Sequence, residues 1–155
     1  MSLSVLLIAH FRKWAVAALL LLLLASSLAH GQAAKTLAVD IGEAHYRIEL
    51  ATTPEARSKG LMFREHLDPR GGMLLVYSND DDHRIWMKNV PITLRVYWLD
   101  ANFEVIVMRR LPPCKADPCP VYAAPKPSRY VLELADRDHG LRPGDRISGL
   151  DSLVP

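Results

Sequence analysis

The chain has 155 residues, with 19 Lys and Arg against 17 Asp and Glu, two cysteines, and hydrophobic residues at half of its positions. That length holds one core rather than two, and so small a charge excess excludes the clustered positive field on which nucleic-acid binding depends. The excess is confined to Arg12 and Lys13, so beyond them the chain is electrically balanced.

The basic pair Arg12-Lys13 is followed by the apolar run 14–25 and then by Ser26, Ser27, Leu28 and Ala29, the order of a secretory signal. An uninterrupted membrane span takes about 20 apolar residues, and the serines arrive before that. Residues 1–29 are therefore read as a signal peptide cleaved near 29 or 33, with membrane contact confined to that segment if it stays uncleaved. The expected location is periplasmic or secreted, and residues 35–150 are expected to form a single globular domain.

Leu37, Val39 and Ile41 alternate with polar or small neighbours, and Tyr46, Ile48 and Leu50 resume the alternation after Gly42-Glu43, which predicts a hairpin. Thr53-Pro54 reads as an N-cap and first helical position, and Ala56, Gly60, Phe63 and Leu67 recur at helical spacing until Asp68-Pro69. After Gly71-Gly72 the short apolar run 73–77 predicts a buried strand. Leu94, Val96 and Trp98, the turn Asp100-Ala101-Asn102, and Phe103, Val105 and Val107 predict a second hairpin, and the run 130–134 and Ile147 supply final strands. The whole is a mainly β fold, a small sandwich or barrel of antiparallel strands with one short helix near residues 54–67.

Cys114 and Cys119 flank Lys-Ala-Asp-Pro and are themselves flanked by Pro113 and Pro120. An exported chain meets an oxidising compartment, so the two are expected to form a disulfide. Four intervening residues do not fit a Cys-x-x-Cys redox motif, and zinc would need two further ligands nearby; no metal or cofactor is expected.

The strings Thr53-Pro54-Glu55-Ala56-Arg57-Ser58-Lys59-Gly60-Leu61-Met62-Phe63-Arg64, Gly72-Met73-Leu74-Leu75-Val76-Tyr77, Trp86-Met87-Lys88-Asn89-Val90-Pro91-Ile92 and Tyr130-Val131-Leu132-Glu133-Leu134 occur in that order. Together they resemble the domain-of-unknown-function 192 family over essentially the whole chain beyond the signal. The resemblance implies a compact β fold with little helix, often exported or membrane-anchored, and no established reaction. Arg95 departs from it, standing where the family usually carries an acid that would pair with Lys88 or Arg64. The segment Ala135-Asp136-Arg137-Asp138-His139-Gly140 also lacks the usual Pro or small residues.

Polar side chains inside apolar strings carry the functional signal, because a buried charge must be paired or face a ligand. Arg57, Arg64, Lys88, Asn89 and Glu133 are those residues. In one reading Glu133 accepts from Arg64 or Lys88, Asn89 caps a turn, and the set fastens helix to sheet. In the other, Arg64 and Lys88 line a mouth that recognises a carboxylate or other small anion. Gly60, Met62, Met73, Trp86 and Met87 are assigned to structure; thioether binding of Cu(I) with His83 is disfavoured against core packing. Asp80-Asp81-Asp82-His83 lacks the glycine and distal Glu of a calcium loop, and His66 and His139 read as surface histidines. No Gly-x-Ser-x-Gly occurs, although His45 could meet Asp40 and a serine in space. The favoured reading is an exported non-catalytic binding or envelope-accessory domain, with a small anionic ligand or an envelope protein as partner. The alternative is a small hydrolase whose residues converge from separate strands.

Overall fold

The structure is a computed structural model that describes residues 35–153, so the signal-peptide expectation lies outside the described residues. The fold is mostly antiparallel β with a single short helix, as the alternation of apolar residues predicts. Strands β1 (Thr36–Ile41) and β2 (Ala44–Ala51) form the first hairpin, followed by helix α1 (Pro54–Lys59) and β3 (Gly71–Asp81). After β4 (Ile85–Trp86), the second hairpin joins β5 (Leu94–Leu99) to β6 (Val105–Leu111), and β7 (Val121–Tyr122) and β8 (Ser128–Ala135) complete the strands. Six of them form one sheet in the order β1-β2-β3-β8-β5-β6, while β4 and β7 pair separately.

One pair departs from the antiparallel expectation: β2 and β3 run parallel, with Ile48 opposite Gly72 and Leu50 opposite Leu74. The cause is α1 and the turns after it, which carry the chain back across the sheet before β3 starts; a tight hairpin cannot do this. Helix α1 itself is shorter than the helical spacing suggested. Thr53 accepts from the Ala56 amide at 3.2 Å and Pro54 opens the first turn, but Gly60 closes it with φ +48° and ψ −132°. That conformation is open to glycine and costly for any residue with a Cβ. The residues meant to prolong the apolar stripe then diverge, with Leu61 buried and Phe63 71% exposed.

Because side chains alternate across a strand, the sheet has two cores. Ile48, Leu74, Tyr97 and Leu132 lie in one, which Leu141, Ile147 and Leu150 of the C-terminal segment join. Met73, Leu75, Val96, Trp98 and Val131 lie in the other, with Leu61, Ile85, Met87 and Val90 from the connection between α1 and β5. Ile147, expected in a regular strand, instead belongs to a short crossing segment. Its amide donates to Phe103 at 3.1 Å, while Glu104 bridges Arg146 and Asp40 bridges Ser148. The segment thus touches both β1 and the start of β6, the two outer members of the sheet.

His139 is a second correction, being buried rather than on the surface. Its Nε2–H donates to the Ala135 carbonyl at 2.8 Å, which leaves Nδ1 to accept from the Tyr46 hydroxyl at 2.8 Å. A carbonyl can only accept, so the tautomer follows from the contacts. Nothing local in Asp138-His139-Gly140 signals this, since Tyr46 lies 93 residues away.

Candidate functional site

Register places Glu133 on the second apolar face, opposite Met73 of β3 on one side and Val96 of β5 on the other. The residue is 6% exposed, and Oε2 is buried with no hydrogen-bond partner among the described residues. Burial raises the carboxyl from an ordinary 4.5 to about 7, against a smaller lowering by the Arg64 charge. Desolvation penalises the charged form, and no donor offsets it.

Above Glu133 lies a cavity of about 280 Å³ between α1, β3 and β4. Arg57, Gly60 and Met62 form one wall, and Tyr77, Arg84 and Trp86 the other. A Cβ on Gly60 would stand 3.8 Å from Glu133 Oε2, so the helix end sits directly over the carboxylate. Arg57 Nη1 donates to the Thr52 carbonyl at 2.8 Å and the Val76 carbonyl at 2.9 Å, fixing the guanidinium 4.8 Å above the Tyr77 ring. The His83 ring stacks on Tyr77 with centroids 3.4 Å apart, and the His83 carbonyl accepts from Trp98 Nε1 at 2.8 Å. Burial also pushes the Tyr77 hydroxyl pKa up, with Arg57 opposing and Glu133 adding to the rise. Trp86 is 46% exposed at the mouth.

Of the other polar residues singled out from sequence, Arg64 acts on Glu133 only through its charge, and none of them hydrogen-bonds to it. Arg64 makes a two-pronged ion pair with Glu49 on β2, through Nη1–Oε1 and a 2.6 Å Nη2–Oε2 bond. That bond lowers the Glu49 pKa and raises the Arg64 pKa. Lys88 reaches Asp117 of the cysteine loop at 3.2 Å and lies 5.7 Å from the Trp86 ring. The expectation that Glu133 accepts from Arg64 or Lys88 is thereby corrected: each cation has a carboxylate elsewhere, reached by tertiary approaches that local strings cannot encode. Asn89 takes φ +58° in a turn, and its carbonyl accepts from Phe63 at 2.7 Å. Met73 and Met87 are buried in the second core and Met62 packs partly against it. Arg95, the departure from the family pattern, approaches Asp136 at 3.7 Å while its Nε is buried without a hydrogen-bond partner.

Two other places gather ionisable side chains. A wider groove of about 880 Å³ runs past Arg64, Glu49 and His66, but its Arg64 and Glu49 satisfy each other. His45 pairs with Asp40 on the exposed hairpin, and the Ser148 hydroxyl donates to the Asp40 carbonyl at 3.4 Å rather than to the imidazole. Cys114 and Cys119 form the expected disulfide, with Cα atoms 5.6 Å apart. Asp117 lies beside them, but bonded sulfurs offer no thiolate to a metal. Sequence reasoning missed Tyr77, Arg84 and the value of Trp86; the last was detectable as an aromatic beside the polar turn 78–82.

Two crystal structures resemble this fold. A protein of Sinorhizobium meliloti 1021, named as a candidate transcription regulator, is 26% identical with a TM-score of 0.63, over 76% of this chain and 94% of that one. A protein of unknown function from Novosphingobium aromaticivorans DSM 12444 is 26% identical with a TM-score of 0.62, over 78% and 89%. No curated protein matches the chain. Residues 37–149 match DUF192, described as an uncharacterized ACR, and the chain belongs to that family.

Proposed function

We propose that this domain is a non-catalytic module of the cell envelope that binds a small ligand in the Glu133 pocket. The observation that carries the reading is the Glu133 carboxyl: buried, without a partner for Oε2, and lining a cavity roomy enough for a small molecule. An unsatisfied buried polar atom is costly, and a ligand that supplies the missing partner recovers that cost on binding. The leader-like first residues and the disulfide support an envelope location. A hydrolase needs a nucleophile in contact with a base, or two carboxyls, whereas among the described residues the Ser58 hydroxyl at this cavity has no hydrogen-bonded base and Glu133 is the only carboxyl that lines it. The regulator role named for the Sinorhizobium relative does not suit this chain, because a net charge of only +2 gives no basic field of the kind that DNA binding requires.

The test is a thermal-shift panel of monosaccharides, small carboxylates, small amines and free amino acids, run on the mature chain and on Glu133→Gln. At least one class should raise the Tm of the native chain and leave the variant unmoved. If no class separates the two proteins, the pocket is not a binding site.

A further inference from the structure

The Glu133 pocket holds a guanidinium and a carboxyl, Arg57 and Glu133, and neither has an ionic partner among the described residues. Among the described residues no carboxylate pairs with Arg57, whose contacts are the Thr52 and Val76 carbonyls, and no donor pairs with Glu133 Oε2. Both line the same cavity, yet they form no ion pair with each other. Holding Arg57 through Nη1 alone leaves the other edge of its fork free, a preorganised docking point for a carboxylate. Ionised Glu133 is complementary to an ammonium group, whose three donors would satisfy it. Between and around them the walls are apolar, from Met62, Leu75, Ile85 and Val90, with Trp86 at the rim.

We propose that the pocket receives a free apolar α-amino acid, its carboxylate on Arg57 and its ammonium on Glu133, with the side chain against Met62, Leu75 and Trp86. This rests on the pocket being a binding site and adds the class of ligand. An amino acid is zwitterionic, so it partners both groups at once, its ammonium drawing Glu133 into the carboxylate form; a simple carboxylate or a simple amine partners one and leaves the other without a partner. The cavity volume suits a side chain of leucine or methionine size. Lys59 and Arg84 also line the cavity, adding positive charge that favours entry of the carboxylate end; Arg84 is already held by Asp82 at 2.7 Å.

The charges facing Glu133 set a proton signature. Its surroundings are Arg57 and Lys59 from α1, Arg64 after the helix, Tyr77 from β3 and Arg84 before β4, all cationic or neutral near neutrality. An arriving ammonium stabilises the carboxylate, so binding at about pH 6 expels the proton that Glu133 carries when empty. A ligand that is only an anion does the reverse and draws a proton in, and a neutral sugar moves it little.

The experiment is calorimetry of the mature chain with L-leucine and L-methionine at about pH 6, in two buffers of different ionisation enthalpy, which counts protons released. The same titrations use 4-methylpentanoate, which lacks the amine, and isopentylamine, which lacks the carboxylate. The D-enantiomers form a further arm, because a three-point fit to Arg57, Glu133 and the apolar wall discriminates handedness. Expected are net proton release, affinity for leucine at least tenfold above either truncated analogue, and loss of at least tenfold in Glu133→Gln. Arg57→Lys, which keeps the charge but not the fork, should weaken leucine while circular dichroism stays native. Proton uptake, or equal affinity for 4-methylpentanoate, overturns the amino-acid assignment in favour of an anion. If leucine and methionine do not bind but another class shifts the native chain and not Glu133→Gln, the assignment alone fails; if nothing does, the binding site itself fails with it.

Discussion

Replacing Glu133 by Gln keeps the shape of the side chain and removes its titration, which makes the buried carboxyl a quantity that can be weighed. The native carboxyl ionises near 7 folded and near 4.5 when exposed to water. A raised carboxyl means that the folded state holds a proton which the unfolded state releases. The associated stability is fully present below about 4.5 and is lost as pH rises through about 7, with a total on the order of 3 kcal/mol. Glu133→Gln has no such loss. In urea melts the two proteins should be close in stability at about pH 4, and the variant should be more stable by up to about 3 kcal/mol at about pH 8.5. A carboxylate-to-amide change that stabilises a fold at neutral pH is the mark of a group kept for something other than folding. Parallel stability curves for the two proteins across this range would refute the reasoning, by showing that the folded chain already compensates the ionised carboxylate.

Further outcomes follow from contacts elsewhere. Gly60→Ala forces a Cβ onto φ +48° and should cost roughly 1–3 kcal/mol in denaturant melts. Lys88→Ala removes an ion pair whose Asp117 partner is two-thirds exposed, so its melting curve should move by less than about 1 kcal/mol. Tyr46→Phe leaves His139 Nδ1 without its donor and should cost about 1–3 kcal/mol by equilibrium unfolding. Burial lowers the His139 pKa, so stability should fall as pH drops below the ordinary 6.5 and through the lowered value, a slope that a His139 imidazole titration by NMR would track. Reducing the Cys114–Cys119 bond, which closes a short loop, should lower stability by about 2 kcal/mol in melts with and without reductant.

Strand positions were legible in the sequence because alternation reports directly which face is buried: Leu37, Val39 and Ile41, then Tyr46, Ile48 and Leu50, all fall within the first hairpin. The disulfide was legible for a chemical reason: two close cysteines in a chain whose first residues read as an export signal, for which an oxidising compartment is the expectation. The parallel β2–β3 pairing was not, since alternation is the same for either strand direction and only the crossover decides it. At the site, Glu133 stood out as a charge between Leu132 and Leu134, but its isolation did not. Whether Arg64 turns toward Glu133 or Glu49 depends on how the turn after Gly60 folds back over β2, and apolar spacing carries no term for that.

The crossing segment near the C-terminus bears on how the protein avoids its own kind. A sheet ends in two rows of unpaired peptide groups, each a template on which another chain can add a strand. Here residues 144–148 occupy part of both rows: the Gly144 amide donates to Val105 and the Val105 amide to Asp145, each at 2.9 Å, while Ser148 bridges Asp40. Gly149 lets the chain pass close to β1, where a Cβ would stand 3.2 Å from the Ala38 carbonyl. Loss of the last dozen residues would leave the pocket's walls untouched but strip cover from both margins of the sheet at once. Such a truncated chain should self-associate through β1 and β6 before it unfolds, with light scattering rising ahead of any loss of β-sheet circular dichroism.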